Sequence, residues 1–122
     1  MTQDWPYKYF TRAEMACKET GRCEMDPEFM RAMADLREAF NAPMVVTSGY
    51  RDPSHPEERK KAEPGTHAQG IAADIAVRGE DAVRLIALAY AFGFRGVGVQ
   101  QKGNARFIHL DRRPGAFAFW SY

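Results

Sequence analysis

Apolar residues recur at helical spacing between positions 26 and 40, where Phe29, Met30, Met33, Leu36 and Phe40 fall on one face. Asp26 can cap the first turn and Pro27 suits the first helical position, so the pattern predicts a helix over 26–40 whose stripe packs into the core. After Pro43 the pattern changes to the β-branched run MVVTS, a short strand ending at Ser48 and Gly49. IAADIAV at 71–77 reads as a buried strand. From Glu80 to Phe92 the helical period returns, apolar at Val83, Leu85, Ile86 and Tyr90 and closed by Gly93. GVGV at 96–99 and RFIHL at 106–110 are two more strands, and the polar turn QQKGNA between them predicts an antiparallel hairpin.

These elements predict an α+β fold, an antiparallel sheet with helices packed on it. The chain has 122 residues and no repeat, low-complexity tract or linker, so one domain over 1–122 is expected, large enough to need no metal or disulfide for its core. Two segments resist the pattern. RDPSHPEERKKAEPGT at 51–66 has three prolines and many charges, and is expected to be a long surface excursion with a short helix in PEERKKA, forming one side of a cleft. Phe117, Phe119, Trp120 and Tyr122 crowd the C-terminal end, either as a substrate wall or as a last strand packed on the core.

Composition removes several classes of function. Charged residues make up 27% and hydrophobic ones 45%, which argues against disorder. Seventeen basic against sixteen acidic residues leave a charge of +1 with no basic block, so nucleic acid is not an expected partner. No apolar run approaches the roughly 18 residues of a membrane span. The start MTQDWPYKYF lacks the features of a secretory signal, so synthesis in the cytoplasm is expected, as a monomer. Cys17 and Cys23 lie close together in CKETGRC, where Gly21 permits a tight turn; a small-loop disulfide, free thiols and a share in a second metal site all remain open.

Candidate chemistry begins with Asp74, a carboxylate inside an apolar strand that requires a partner. His67 precedes it by seven residues and His109 lies on the last predicted strand. Two imidazoles and one carboxylate are a zinc ligand set that leaves a fourth position open to water, and such a site hydrolyses amides. Arg51 offers the planar cation that binds a carboxylate through two parallel hydrogen bonds.

Taken together, TSGYR at 47–51, the His67-to-Asp74 spacing with Gly70 between, FIHLD at 107–111 and the opening YFTRAEMAC resemble the zinc D-Ala-D-Ala carboxypeptidases, or LAS metallopeptidases, in their short phage-type form. That family shares its fold with the hedgehog signalling domain. The resemblance implies a hedgehog/DD-peptidase-like sheet carrying Zn2+ on His67, Asp74 and His109, and a peptidoglycan stem peptide as substrate. It implies that Arg51 contacts substrate near the zinc and stabilises the developing oxyanion, with Ser48 and Tyr50 flanking it as further substrate-binding residues. It also implies a lysis enzyme that meets the cell wall after release.

The sequence departs from the family at the general base. Better-known members carry an acidic residue three positions before the last ligand, or a second His before it; here those places hold Arg106 and Phe107. Asp111 is the nearest carboxylate, on the same sheet face as His109 by strand alternation, and is expected to act as base or to orient a ligand or Arg51. His55 in the excursion is the other candidate base. The departure also supports an alternative, a zinc-stabilised binding or virion structural protein whose peptidase site has decayed.

Overall fold

Helix α2, Pro27–Phe40, starts where the capping signal lies: the Asp26 carboxylate accepts the Phe29 N–H at 2.9 Å, and Asn41 ends the helix in the left-handed region at φ 55. The structure, a computed structural model, describes residues 4–122; Met1–Gln3, where the expected leaderless start begins, lie outside the described residues. The five predicted stripe residues of α2 are all buried, each contributing about 2 kcal/mol over its exposed state. Ahead of α2, Thr11 and Glu14 form a reciprocal capping box on the one-turn helix α1, Arg12–Met15.

The strands are β1, Val45–Ser48; β2, Ala72–Ala76; β3, Gly96–Gln100; β4, Phe107–Asp111; and β5, Ala118–Ser121. They form one sheet in the order β1-β2-β4-β3-β5. The first four pair antiparallel, as expected, including the β3–β4 hairpin. The fifth runs parallel to β3 on its outer edge. Register explains this: Gly96 at the start of β3 pairs with Asp111 at the end of β4, so residues 112–117 need only cross the end of β3 to begin β5 with Ala118 opposite Gly96. Phe117 and Phe119 stay 61% and 64% exposed, so the last strand does not pack its aromatic residues on the core.

Helix α4, Gly79–Ala91, buries Ala82, Leu85 and Ala89. Val83, expected on its apolar face, is 68% exposed, because the small alanines either side of Leu85 form the seam that meets the sheet and α2. Strand alternation splits the sheet into two faces. Ala73, Ile75, Val97, Ile108 and Leu110 point into the core with the helices. The opposite face carries the polar residues. Helix α3, Pro56–Arg59, lies in the excursion at the predicted place, and Cys17 and Cys23 are buried free thiols.

Candidate metal centre and cleft

One cross-strand row runs through all five strands: Ser48, Asp74, His109, Gly98 and Trp120 are successive register partners. A bulge between Val46 and Ser48 makes the row possible, since Val46 pairs with Ile75 and Ser48 with the adjacent Asp74. His67 comes from the turn before β2. Its carbonyl accepts the N–H groups of Arg51 and Gly70 at 3.2 and 3.3 Å, and the Gly70 carbonyl accepts the Asp26 N–H at 2.9 Å. Gly70 has φ +75 and lies so close to the Glu24 carbonyl that any side chain would collide with it.

The three side chains converge. His67 Nε2 lies 3.3 Å and His109 Nδ1 3.1 Å from the same Asp74 oxygen, Oδ1, and the three ligand atoms all lie within 4.8 Å of one another. The other ring nitrogens are committed. His67 Nδ1 is 2.7 Å from the Gly49 carbonyl, which can only accept, so that nitrogen carries hydrogen and Nε2 is the nitrogen that faces Asp74. His109 Nε2 is 2.7 Å from Asp111 Oδ2, which fixes Nδ1 as the nitrogen facing Asp74.

This donor set fits a metal ion. Bonds of roughly 2.0–2.1 Å to nitrogen and oxygen put tetrahedral ligands roughly 3.3 Å apart, close to the two separations at Asp74 Oδ1. Without an ion the charges lean on one another. Burial pushes the Asp74 carboxyl up, but hydrogen bonds from His109 and His67 outweigh it and hold the group well below the ordinary carboxylate range. Burial pushes the His109 imidazolium down, and the Asp111 and Asp74 carboxylates more than reverse this, so His109 holds its proton above the usual histidine range. A cation set among the three ligands would replace that proton.

Asp111 is fully buried and saturated. Besides His109 it accepts the Arg113 backbone N–H at 3.0 Å and two guanidinium N–H groups at 2.9 and 2.7 Å. Burial raises its carboxyl pKa, but the Arg113 and His109 hydrogen bonds prevail and keep it ionised far into acid.

The cluster opens into a cleft of about 360 Å³, with Arg51, Glu57, Lys61, Phe107, Arg113, Trp120 and Tyr122 among its walls. Arg51 reaches Asp74 Oδ2 at 3.9 Å, an ion pair rather than a hydrogen bond. It is available for this because Asp52, its neighbour in sequence, is taken by Arg22 and Ser54. Ser48 and Tyr50 do not line the cleft: Tyr50 is buried, its hydroxyl 3.4 Å from Glu24 on the side of the Arg22 cluster. His55 is spent as the cap of α3, where Nδ1 accepts the Glu57 N–H at 3.1 Å.

Like Arg113, Glu57 and Lys61 are among the wall residues that sequence reasoning did not single out. Their i, i+4 spacing in the short helical stretch was the available signal, since it places both on one face. Among the described residues, Glu57 is the one carboxylate of the wall besides Asp74.

Among the described residues, no helix is long and apolar enough to cross a membrane. Comparison with curated proteins gives no match. Residues 8–111 match the family described as Peptidase M15, a stretch that takes in Arg51, both histidines, Asp74 and Asp111. With that match over most of its length and a His-Asp-His cluster fit for a metal, the chain belongs to the Peptidase M15 family of metal-dependent peptidases.

Proposed function

We propose that the protein is a zinc peptidase that hydrolyses the D-amino-acid-containing stem peptides of bacterial peptidoglycan, as a D-Ala-D-Ala carboxypeptidase or an endopeptidase, in phage or prophage lysis. The observation that carries this reading is the convergence of His67 Nε2, Asp74 Oδ1 and His109 Nδ1 at the floor of a cleft that also holds Arg51. His67, Asp74 and His109 would hold the zinc, which when bound supplies Lewis acidity and an acidified water near neutral pH.

The chain's own residues do the rest. Arg51 binds a substrate carboxylate or the carbonyl oxygen as it gains charge. Asp111 and the Gly49 carbonyl hold the two imidazoles in the tautomers that ligation requires. Asp111 therefore serves as a positioning residue, and the proton of the attacking water goes to Glu57, the wall carboxylate that is not a ligand.

The test is release of D-alanine or new amino groups from purified peptidoglycan, with and without a zinc chelator. Chelator-sensitive release supports the peptidase, and free D-alanine makes it a carboxypeptidase. The competing reading, a zinc-stabilised binding protein, draws on Arg106 standing where an acidic residue is usual. It requires His67→Ala to cost thermal stability above all, whereas the peptidase reading requires that variant to lose hydrolysis while remaining folded.

A further inference from the structure

Residues 118–122 lie beyond the stretch that matches the family, yet two of them, Trp120 and Tyr122, line the cleft. Trp120 is in the metal row, its ring centre 5.1 Å from that of His109. Gly98 makes room for it, since a Cβ there would stand 2.6 Å from the indole. Arg113, tied to Asp111, lies 4.9 Å from the indole centre. Tyr122 follows, its backbone N–H on the Val99 carbonyl at 3.1 Å and its ring 5.2 Å from Phe107.

The indole of Trp120 stands beside the Tyr122 ring, their centres 6.4 Å apart, and holds that ring at the edge of the cleft. The phenol's own O–H has no acceptor among the described residues. Tyr122 lines the same cleft as Arg51, Asp74 and His109, which puts the phenol on the wall of the ligand cluster. Burial, followed by the Asp74 charge, raises its pKa, so at neutral pH it keeps its hydrogen.

We propose that Tyr122 is a further catalytic residue, whose O–H donates a hydrogen bond to the scissile carbonyl oxygen as that oxygen becomes an oxyanion, with Trp120 positioning it. This rests on the peptidase reading above. As water oxygen bonds to the carbonyl carbon, the carbonyl π pair moves onto oxygen, where Tyr122 and Arg51 meet it. The pair returns as the C–N bond breaks, and nitrogen departs with the proton taken from the water. Tyr122 donates throughout and never gives up its hydrogen.

The test is Tyr122→Phe, which removes the hydroxyl and keeps the ring on Phe107. On a synthetic stem pentapeptide ending in D-Ala-D-Ala, kcat should fall about 100-fold while KM and Tm hold. Binding of a phosphinate analogue of that peptide, a mimic of the tetrahedral anion, should weaken about 10-fold or more, with binding of the product tetrapeptide unchanged. Wild-type kcat in the variant, or equal loss of phosphinate and product binding, would overturn the role. Absence of hydrolysis by the zinc-loaded wild-type protein on pentapeptide and on whole peptidoglycan would overturn the peptidase reading, and this inference with it.

Discussion

Gly96 on β3 lies directly against the carboxylate of Asp111 on β4, so close that a methyl group at position 96 would overlap both oxygens. The glycine is thus the space in which the buried carboxylate turns toward His109. Gly96→Ala should push Asp111 off His109 Nε2, weakening metal binding about 10- to 100-fold in a chelator competition. The added methyl should also cost about 1–3 kcal/mol of stability. Asp111→Asn should reproduce the metal defect without the overpacking. Unchanged metal affinity in both variants would mean that His109 is oriented by Asp74 alone.

Glu57→Gln and Asp111→Asn should fail in different ways. Loss of the proton acceptor should lower kcat about 100-fold or more and leave zinc affinity intact. Loss of the Asp111 charge should lower zinc affinity, so that activity recovers with added zinc. Full activity in Glu57→Gln would remove the wall carboxylate from the proton path.

Much of this was legible in the sequence because it depends on local pattern. The cap at Asp26 and the stripe to Phe40 set α2, and the QQKGNA turn set the β3–β4 hairpin. Asp74 stood out because a carboxylate in an apolar strand must be answered by something. What the pattern could not show was tertiary. The parallel seating of β5 depends on where β4 ends relative to β3, and a four-residue strand carries no mark of its partner. Asp111 is a plausible base by alternation alone, and only Arg113 folding back onto it uses up its lone pairs. By size Val83 outranks the alanines as a buried residue, yet Ala82 and Ala89 make the seam, because close approach of helix to sheet favours small side chains there.

Metal removal should change the sign of the pH dependence. In the metal-free protein Asp74 and Asp111 stay ionised well below the ordinary carboxylate range, so they add no slope between about pH 5 and 8. His109 has a folded pKa raised above 6.5. Its contribution is therefore fully present below 6.5 and lost as pH rises through the raised value. Metal binding needs a deprotonated Nδ1 and strengthens as pH rises. Thermal unfolding across pH 5 to 8 should show Tm falling with pH in chelator and rising with pH in zinc. Parallel slopes in the two conditions would separate His109 from the metal.

The excursion that bears Glu57 and Lys61 is closed by one buried carboxylate. Glu58 Oε2 holds Lys61 Nζ at 2.8 Å and Oε1 accepts the Gly65 N–H at 2.9 Å, joining α3 to the residue two before His67. Burial pushes this carboxyl up, but Lys61 and the Gly65 N–H bring it below its usual 4.5. Its contribution to closure is thus present above 4.5 and lost as pH falls through the depressed value. Glu58→Gln keeps the shape and removes the charge, so it should release the segment at neutral pH. Trypsin should then cut after Arg59, Lys60 or Lys61 in the variant well before the wild type, with little change in Tm, because the opening is local. KM for the stem peptide should rise in step, since the wall carrying Lys61 no longer stays in place. Equal cleavage rates in the two proteins would assign closure of the segment to its prolines and to the His55 cap rather than to Glu58.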